Sequence, residues 1–361
     1  DLGDYEYTED IGAGYAMAEI NITPRLMILP GVRYEHTWTA YDAKVGIESA
    51  LGEDEQGNVQ DTTAGHDYGV WLPMVHARYR VTDWFDIRLA RTRTLSRPEY
   101  TYLSPGRRVS VEERRVERGN PKIEAAKSTN YDAFLSFHTS RLGLLTIGGF
   151  YKEIEDLVFL SQKTVLDVAQ EGLPITARGY ALEEPANNPI KGTVKGLEAE
   201  WQTHLTYLPG VLSGIVLNVN YARIYSETRY PRYLLVRQTT PPFRFTQVDT
   251  FRVGRLPDQA NDIVNVSLGY DRGGFSGRVS MLYQGNSLSA VGDRFEVDGF
   301  TETYVRWDLA VQQRFTRGLS VFFNVNNLAD RRDYSYQFTA GFPTAEERYG
   351  WTMDLGLRYE Y

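Results

Sequence analysis

The stretch Glu346–Tyr361 reads EERYGWTMDLGLRYEY, and from Trp351 onward every second side chain is large and apolar. The apolar set is Trp351, Met353, Leu355, Leu357, Tyr359 and Tyr361. The residues between them are polar or very small. Since successive side chains of a strand point to opposite sides of a sheet, the two sets face opposite ways. The stretch therefore predicts a strand with one apolar face and one polar face.

A half-buried strand of a soluble protein shows the same alternation, so one strand does not separate the two environments. The end of the chain carries a second signal. Asp354 to Tyr361 follows the order polar, any, Gly, any, any, aromatic, any, aromatic, with Gly356, Tyr359 and Tyr361 at the fixed positions. This order resembles the terminal signal by which the barrel-assembly machinery recognises bacterial outer-membrane β-barrels. It predicts a barrel strand if the preceding chain supplies similar strands.

The composition excludes several classes of protein. A soluble chain of 361 residues would normally divide into two or three domains, but no linker or low-complexity tract divides this one. The chain has no run of about eighteen apolar residues, so no transmembrane helix is predicted. A barrel strand needs only alternate apolar residues and is not excluded. The 25 tyrosines suit aromatic girdles at a membrane surface. The net charge of −8 argues against a nucleic-acid partner.

Hydrophobic alternation recurs along the whole chain, with almost no helical periodicity. It predicts thirteen strands: Ile11–Ile22, Arg25–Trp38, Tyr68–Arg80, Trp84–Leu95, Ser128–Thr139, Leu144–Leu157, Thr193–Thr206, Ile215–Glu227, Asp262–Tyr270, Phe275–Gln284, Thr303–Phe315, Leu319–Asn327 and Arg348–Tyr361. An all-β, antiparallel fold follows from this pattern.

The connections between these strands alternate between short and long. Thr23-Pro24 and Val81-Thr82-Asp83 are typical short ones, and Thr316-Arg317-Gly318 is the last. The long ones lie near residues 39–67, 96–127, 158–192, 228–261, 285–302 and 328–347. Outer-membrane barrels sort their connections in this way, with tight periplasmic turns and long outer loops. Because the first turn is short, odd-numbered strands run inward, and the C-terminus is expected in the periplasm.

The faces of two strands indicate which side meets lipid. Val279 and Met281 alternate with Arg278 and Ser280, and the strand containing Trp307 alternates in the same manner. An Arg at the bilayer midplane costs about 2–4 kcal/mol, so the charged set is expected to face a wet lumen. Single-chain bacterial barrels have even numbers of strands. Thirteen strands therefore predict the C-terminal part of a larger transmembrane barrel, with residues 1–361 as one incomplete domain.

Several stretches resemble the C-terminal half of TonB-dependent outer-membrane receptors, and they occur in the same order. They are Leu95–Pro98 with Leu103–Gly106, Gly119–Ile123, Ser128–Asp132, Gly149–Lys152, Val194–Trp201, Asn324–Asp330 and Tyr349–Tyr361. The resemblance implies a barrel of about twenty-two strands around an N-terminal plug, of which this chain would supply the last thirteen strands and no plug. It also implies contact with outer-membrane lipid, coupling to the TonB complex through the plug, and a Gram-negative outer-membrane location.

Two loop segments are candidates for ligand binding, because Arg and Tyr suit anionic or polyhydroxylated ligands. The first, Ser96–Lys127, holds Arg97, Tyr100, Tyr102, Arg107 and Arg108; the second, Tyr225–Phe251, holds Arg229, Tyr230, Arg232 and Tyr233. Mixed charges of an exposed loop that pair among themselves are the alternative interpretation of both. No metal site, cofactor fingerprint or catalytic constellation is recognisable, and an enzyme is not predicted.

Four functions remain in view at this point. The first is TonB-dependent uptake of a scarce nutrient such as a ferric siderophore, a corrinoid or an oligosaccharide. A passive outer-membrane porin or channel is the alternative. A barrel enzyme or a soluble β-sandwich lectin is less compatible with the sequence.

Overall fold

The computed structural model describes residues 3–48, 59–292, 294–315 and 318–359. The fold is all-β. Its strands are β1 (Tyr5–Met17), β2 (Ile20–Thr23), β3 (Leu26–Glu48), β4 (Gln60–Thr82), β5 (Phe85–Ser96), β6 (Arg107–Ser110), β7 (Arg115–Arg118), β8 (Ala126–Thr139), β9 (Gly143–Glu155), β10 (Val158–Thr164), β11 (Ala181–Asn187), β12 (Gly192–His204), β13 (Ile215–Arg237), β14 (Phe245–Gly254), β15 (Asp262–Arg272), β16 (Phe275–Gln284), β17 (Ser287–Ala290), β18 (Gly299–Thr301), β19 (Tyr304–Arg314), β20 (Leu319–Asn326), β21 (Arg332–Gln337), β22 (Pro343–Arg348) and β23 (Thr352–Tyr359).

All thirteen predicted strands are present, and each pairs antiparallel with the next. We call this sheet the wall; it contains β1 with β2, β3, β4, β5, β8, β9, β12, β13, β15, β16, β19, β20 and β23. Helical structure is sparse: within the described residues it includes α1 (Tyr100–Leu103) and short 3-10 turns at Ile175–Ala177, Gly210–Gly214 and Phe295–Val297. In that same part of the chain, no helix has the length and apolarity to cross a bilayer.

Two predictions about the elements were wrong. The first strand is not continuous, because it breaks between Met17 and Ile20. The nitrogen of Ala18 donates to the carbonyl oxygen of Pro30, but Pro30 has no N–H to return the bond, and the ladder is interrupted there. Two of the six long connections are also shorter than predicted, since β3, β4 and β13 continue through residues 39–48, 60–67 and 228–237.

The wall has one apolar and one polar face. In register, Met281 lies opposite Trp307 and Ser280 lies opposite Asp308, so the alternation is shared by neighbouring strands. We call the face of Met281 and Trp307 the outward face, and the face of Ser280 and Asp308 the inward face. On β23, Leu355 and Leu357 of the outward face are 76% and 75% exposed. Large apolar side chains are therefore uncovered along the wall, as on a surface built to meet lipid.

The wall does not close on itself within the described residues. β1 pairs with β3 alone and β23 with β20 alone, so each retains an unpaired edge. Gly356 and Tyr359 of the predicted assembly signal lie on β23, whereas Tyr361 lies outside the described residues. The turn at Thr316–Arg317 also lies outside them.

The buried apolar clusters lie in the long connections and against the extended end of β3. One contains Val109, Val116, Val165, Leu173, Ala177 and Leu182. A second contains Tyr41, Leu103 and Ile123. The long connections are therefore folded structures with cores of their own, at the end of the wall opposite to the short turns.

Candidate functional site

Two long connections form one lobe on the extended end of β3. β6 pairs parallel with β3 and antiparallel with β7, β7 pairs parallel with β11, and β11 pairs antiparallel with β10. The apolar cluster around Val116 and Leu182 fills the space beneath these strands. We call this unit, residues 97–125 and 156–191, the lobe.

Ion pairs join the two halves of the lobe. Arg118 donates to Glu171 at 2.7 Å and to Glu184 at 2.8 Å, and Lys163 donates to Glu171 at 2.7 Å. Arg115 binds Glu183 in the same manner. Burial would lower the pKa of Arg118, but its hydrogen bonds to Glu184 and Glu171 outweigh this, so the pKa rises above its ordinary value. The lobe is thus fixed by paired charges.

A cavity of about 530 Å³ lies between the lobe and the neighbouring loops. Its lining comes from five segments that are distant in sequence: residues 99–102, 157–162, 230–234, 252–258 and 289–292. The β13–β14 hairpin forms one side, and Val158, Phe159 and Leu160 of β10 provide an apolar surface. Polar side chains at the margin include Glu99, Arg232 and Asp258. This mixture of apolar area and a few placed polar groups is typical of small-molecule sites.

Buried polar contacts support one side of the cavity. Arg252 donates from Nη2 to Asp298 at 2.6 Å, and Asp298, which is 2% exposed, also accepts from the nitrogen of Gly292 at 2.9 Å. The hydroxyl of Tyr230 donates to the carbonyl oxygen of Arg255 at 2.9 Å. Nε and Nη1 of Arg252 are buried and have no acceptor among the described residues. Buried donors are normally paired, so the guanidinium of Arg252, a residue of the cavity lining, is held by Asp298 with two of its donors unsatisfied.

Four of the nine predicted ligand-binding residues meet in this cavity. Tyr102 reaches it from the first candidate segment, and Tyr230, Arg232 and Tyr233 reach it from the second. Tyr230 is only 5% exposed, so its ring packs behind the cavity lining and offers little surface to a ligand.

The other five predicted residues have different neighbours. Arg97 binds Glu35 and lies 3.5 Å from Glu9. The remaining four contact neighbouring loops or strands: Tyr100 packs on Tyr7 with ring centroids 4.6 Å apart, Arg107 donates to the carbonyl oxygen of Gly172 at 2.6 Å, Arg108 lies opposite Glu117 in the lobe, and Arg229 covers Phe251 at 4.8 Å from its centroid.

Sequence reasoning missed Arg252 and the apolar surface of β10. The second candidate segment ended at Phe251, one residue before Arg252. A signal was present in the alternation, because Arg252 pairs with Tyr230 in the hairpin and must share its face. The part played by β10 had no such signal, since its contact with β13 joins residues about seventy positions apart. No cluster of three or more metal-binding side chains occurs in the described part of the chain.

The sequence model of the TonB dependent receptor-like β-barrel family matches residues 2–328. The chain belongs to this family. The resemblance seen in the sequence is therefore confirmed, and so is the barrel-type fold of the wall.

Three solved structures show the same fold. The ferric yersiniabactin uptake receptor FyuA from Yersinia pestis has a TM-score of 0.62 and 17% identity, and the match covers 99% of this chain and 46% of that one. The siderophore receptor PiuA from Acinetobacter baumannii has a TM-score of 0.65 and 13% identity, with 99% of this chain and 44% of that one covered. The ferric-catecholate import receptor Fiu from E. coli K12 has a TM-score of 0.65 and 17% identity, with 99% of this chain and 45% of that one covered. The TonB-dependent receptor-like chain described here thus spans less than half the length of each. No curated protein sequence matches it.

Proposed function

We propose that this chain forms the wall and outer loops of a TonB-dependent receptor that takes up a scarce ligand across the outer membrane of a Gram-negative bacterium. The cavity between the lobe and the β13–β14 hairpin carries the proposal. It lies at the end of the wall that bears the long connections, which is the outer end in barrels of this type. Its volume falls within the range of about 300–1,000 Å³ that is usual for small-molecule sites.

A ferric siderophore is the ligand class that we favour. The structures of similar fold include receptors for ferric yersiniabactin, for a siderophore and for ferric catecholates. The chemistry of the cavity agrees with this class, because tyrosine rings and the guanidinium groups of Arg232 and Arg252 suit a planar anionic ligand. A corrinoid or an oligosaccharide would use the same rings with fewer charge contacts.

The remaining architecture follows from the family. The wall would be the last thirteen of about twenty-two strands, and the unpaired edges of β1 and β23 would pair with strands outside this chain. A plug inside the lumen would contact the TonB complex. The C-terminus would lie in the periplasm, where the barrel-assembly machinery would read Gly356, Tyr359 and Tyr361.

Uptake in cells tests this function. A strain lacking the gene should lose growth on the cognate ferric siderophore as its iron source, and a strain lacking TonB should lose the same growth. A passive channel would need no energy, so growth that persists without TonB on every iron source and glycan tried would contradict the proposal. Growth on inorganic iron at high concentration serves as the control in both strains.

A further inference from the structure

One row of the outward face combines tyrosines with cations. Five residues lie opposite one another in register on the consecutive wall strands β5, β8, β9, β12 and β13. They are, in that order, Arg91, Tyr131, Tyr151, Lys195 and Tyr225. We call these five residues the tyrosine–cation row. All five side chains are exposed. The row is therefore a continuous surface across five strands.

The cations of the row lack the ion pairs formed by the nearest cations on the side of the long connections. Arg93 lies 3.3 Å from Glu155, and Lys191 lies 2.6 Å from the same carboxylate. Arg91 has its guanidinium 5.7 Å from the centre of the Tyr131 ring. Neither Arg91 nor Lys195 forms an ion pair among the described residues. Two positive charges of the row are thus without an ion-pair partner among the described residues, although Tyr151 of the same row donates to the carboxylate of Glu153 at 3.3 Å.

The row marks the limit of the apolar surface on β5, β8, β9 and β12. On β13 the outward residue one step towards the short turns is Arg223, which donates to the hydroxyl of Tyr225 at 2.8 Å and is paired with Asp262. One step towards the short turns, the outward positions are occupied by Leu89 on β5 and Leu197 on β12. A further step away lie Leu135 and Ile147, which face each other on β8 and β9. The tyrosine rings of the row, with Tyr131 and Tyr151 centred 6.4 Å apart, stand at the boundary nearer the long connections. This is the level at which lipid headgroups meet a barrel wall.

We propose that the tyrosine–cation row binds the phosphate-bearing headgroup of a lipid in the outer leaflet. A cation on the lipid face is costly at the bilayer midplane and costs little at the interface, where a phosphate can neutralise it. An arginine donates two parallel hydrogen bonds to phosphate oxygens, and tyrosine rings pack beside the glycerol or sugar of a headgroup. The inference rests on the proposed orientation of the wall in the membrane and does not depend on the transported ligand.

Lipid retention by the purified protein tests the row. The protein in neutral detergent is mixed with lipid A, or with zwitterionic phosphatidylcholine as the comparison, and the bound lipid is counted by native mass spectrometry. Wild type should retain lipid A in preference to phosphatidylcholine. The variant Arg91→Gln with Lys195→Gln should retain lipid A about tenfold less, because each cation near the surface contributes to the attraction. Each single variant should give an intermediate loss.

Lys152→Gln is the matched control. Lys152 is next to Tyr151 on β9 but points to the inward face, where it covers Phe150 at 5.4 Å. Its substitution should leave lipid retention unchanged. Equal retention of the two lipids by wild type, or full retention by the double variant, would overturn the proposal. Because uptake of the iron source should persist in the double variant, failure of this site is distinguishable from failure of the transport function.

Discussion

Gly356 is required by its neighbour across the strand pair. A β-carbon at this position would lie 2.2 Å from the tip of the Phe322 ring, which covers the glycine on the inward face. Gly148 beneath Phe134 and Gly196 beneath Phe150 repeat the arrangement. Gly356→Ala should therefore destabilise the protein by about 1–3 kcal/mol, as overpacking does. The shift of the heat-modifiable band on gels to a lower temperature would measure this.

Two further variants separate packing from the assembly signal. Gly14→Ala on β1 is a matched control, because a β-carbon there meets nothing within 4 Å. Phe322→Leu added to Gly356→Ala should restore part of the lost stability. If the paired variant were no more stable than Gly356→Ala, the glycine would matter for recognition of the chain end rather than for packing.

The predicted arginines divide into two groups that a binding assay can distinguish. Arg232 lines the cavity, whereas Arg107 is engaged with the carbonyl oxygen of Gly172 within the lobe. We expect Arg232→Gln to raise the Kd for the ferric siderophore about tenfold, because a charge-assisted contact is worth about 1.5–3 kcal/mol. Arg107→Gln should change the Kd by less than about twofold. Equal losses in the two variants would contradict the placement of the ligand in this cavity.

At the scale of elements, the lobe depends on the ionisation of Glu171. Burial would raise the pKa of Glu171, but hydrogen bonds from Lys163 and Arg118 outweigh it and lower the pKa below its ordinary 4.5. A carboxyl group with a depressed folded-state pKa stabilises the fold above its unfolded pKa, and this contribution is lost as the pH falls through the folded value. Protection factors for hydrogen exchange in residues 156–191, which remove the intrinsic pH dependence of the exchange rate, should be high at neutral pH and should fall below about pH 4.5.

Glu171→Gln provides the comparison for the lobe. This variant cannot ionise at position 171, so its protection factors in residues 156–191 should be lower at neutral pH and should depend less on acid. The β15–β16 pair, which lies in the wall, should show no such change in either protein. Identical pH profiles for wild type and variant would show that Glu171 does not hold the lobe together.

The wall strands could be predicted because one constraint acts along their whole length. Each strand must present apolar residues to one side and polar residues to the other, and Thr23-Pro24 or Gly273-Gly274 marks where it turns. The strands of the long connections have no such constant environment: β6 and β7 are four residues each and are buried by other loops. The partners of Arg118 and Arg252 lie 53 and 46 residues away along the chain, and no local pattern announces them.

At the scale of the whole molecule, the tryptophans indicate whether the outward face of the wall contacts lipid or water. Register places Trp38, Trp71, Trp201 and Trp307 on the outward face, and Trp351 continues the outward alternation of β23. Trp71 and Trp351 are 60% and 56% exposed, a state that would leave large rings in water if no lipid covered them.

Fluorescence of the protein reconstituted in vesicles should therefore be blue-shifted, quenched strongly by brominated lipid chains and weakly by aqueous iodide. Trp307→Phe should lower the lipid-quenched fraction, because Trp307 stands between apolar neighbours in the middle of β19. Trp84, in the short turn before β5, should respond to both quenchers, since aromatic residues at strand ends lie at the membrane surface. Strong quenching by iodide with none by brominated lipid would mean that the outward face meets water or protein, and the membrane orientation of the wall would be wrong.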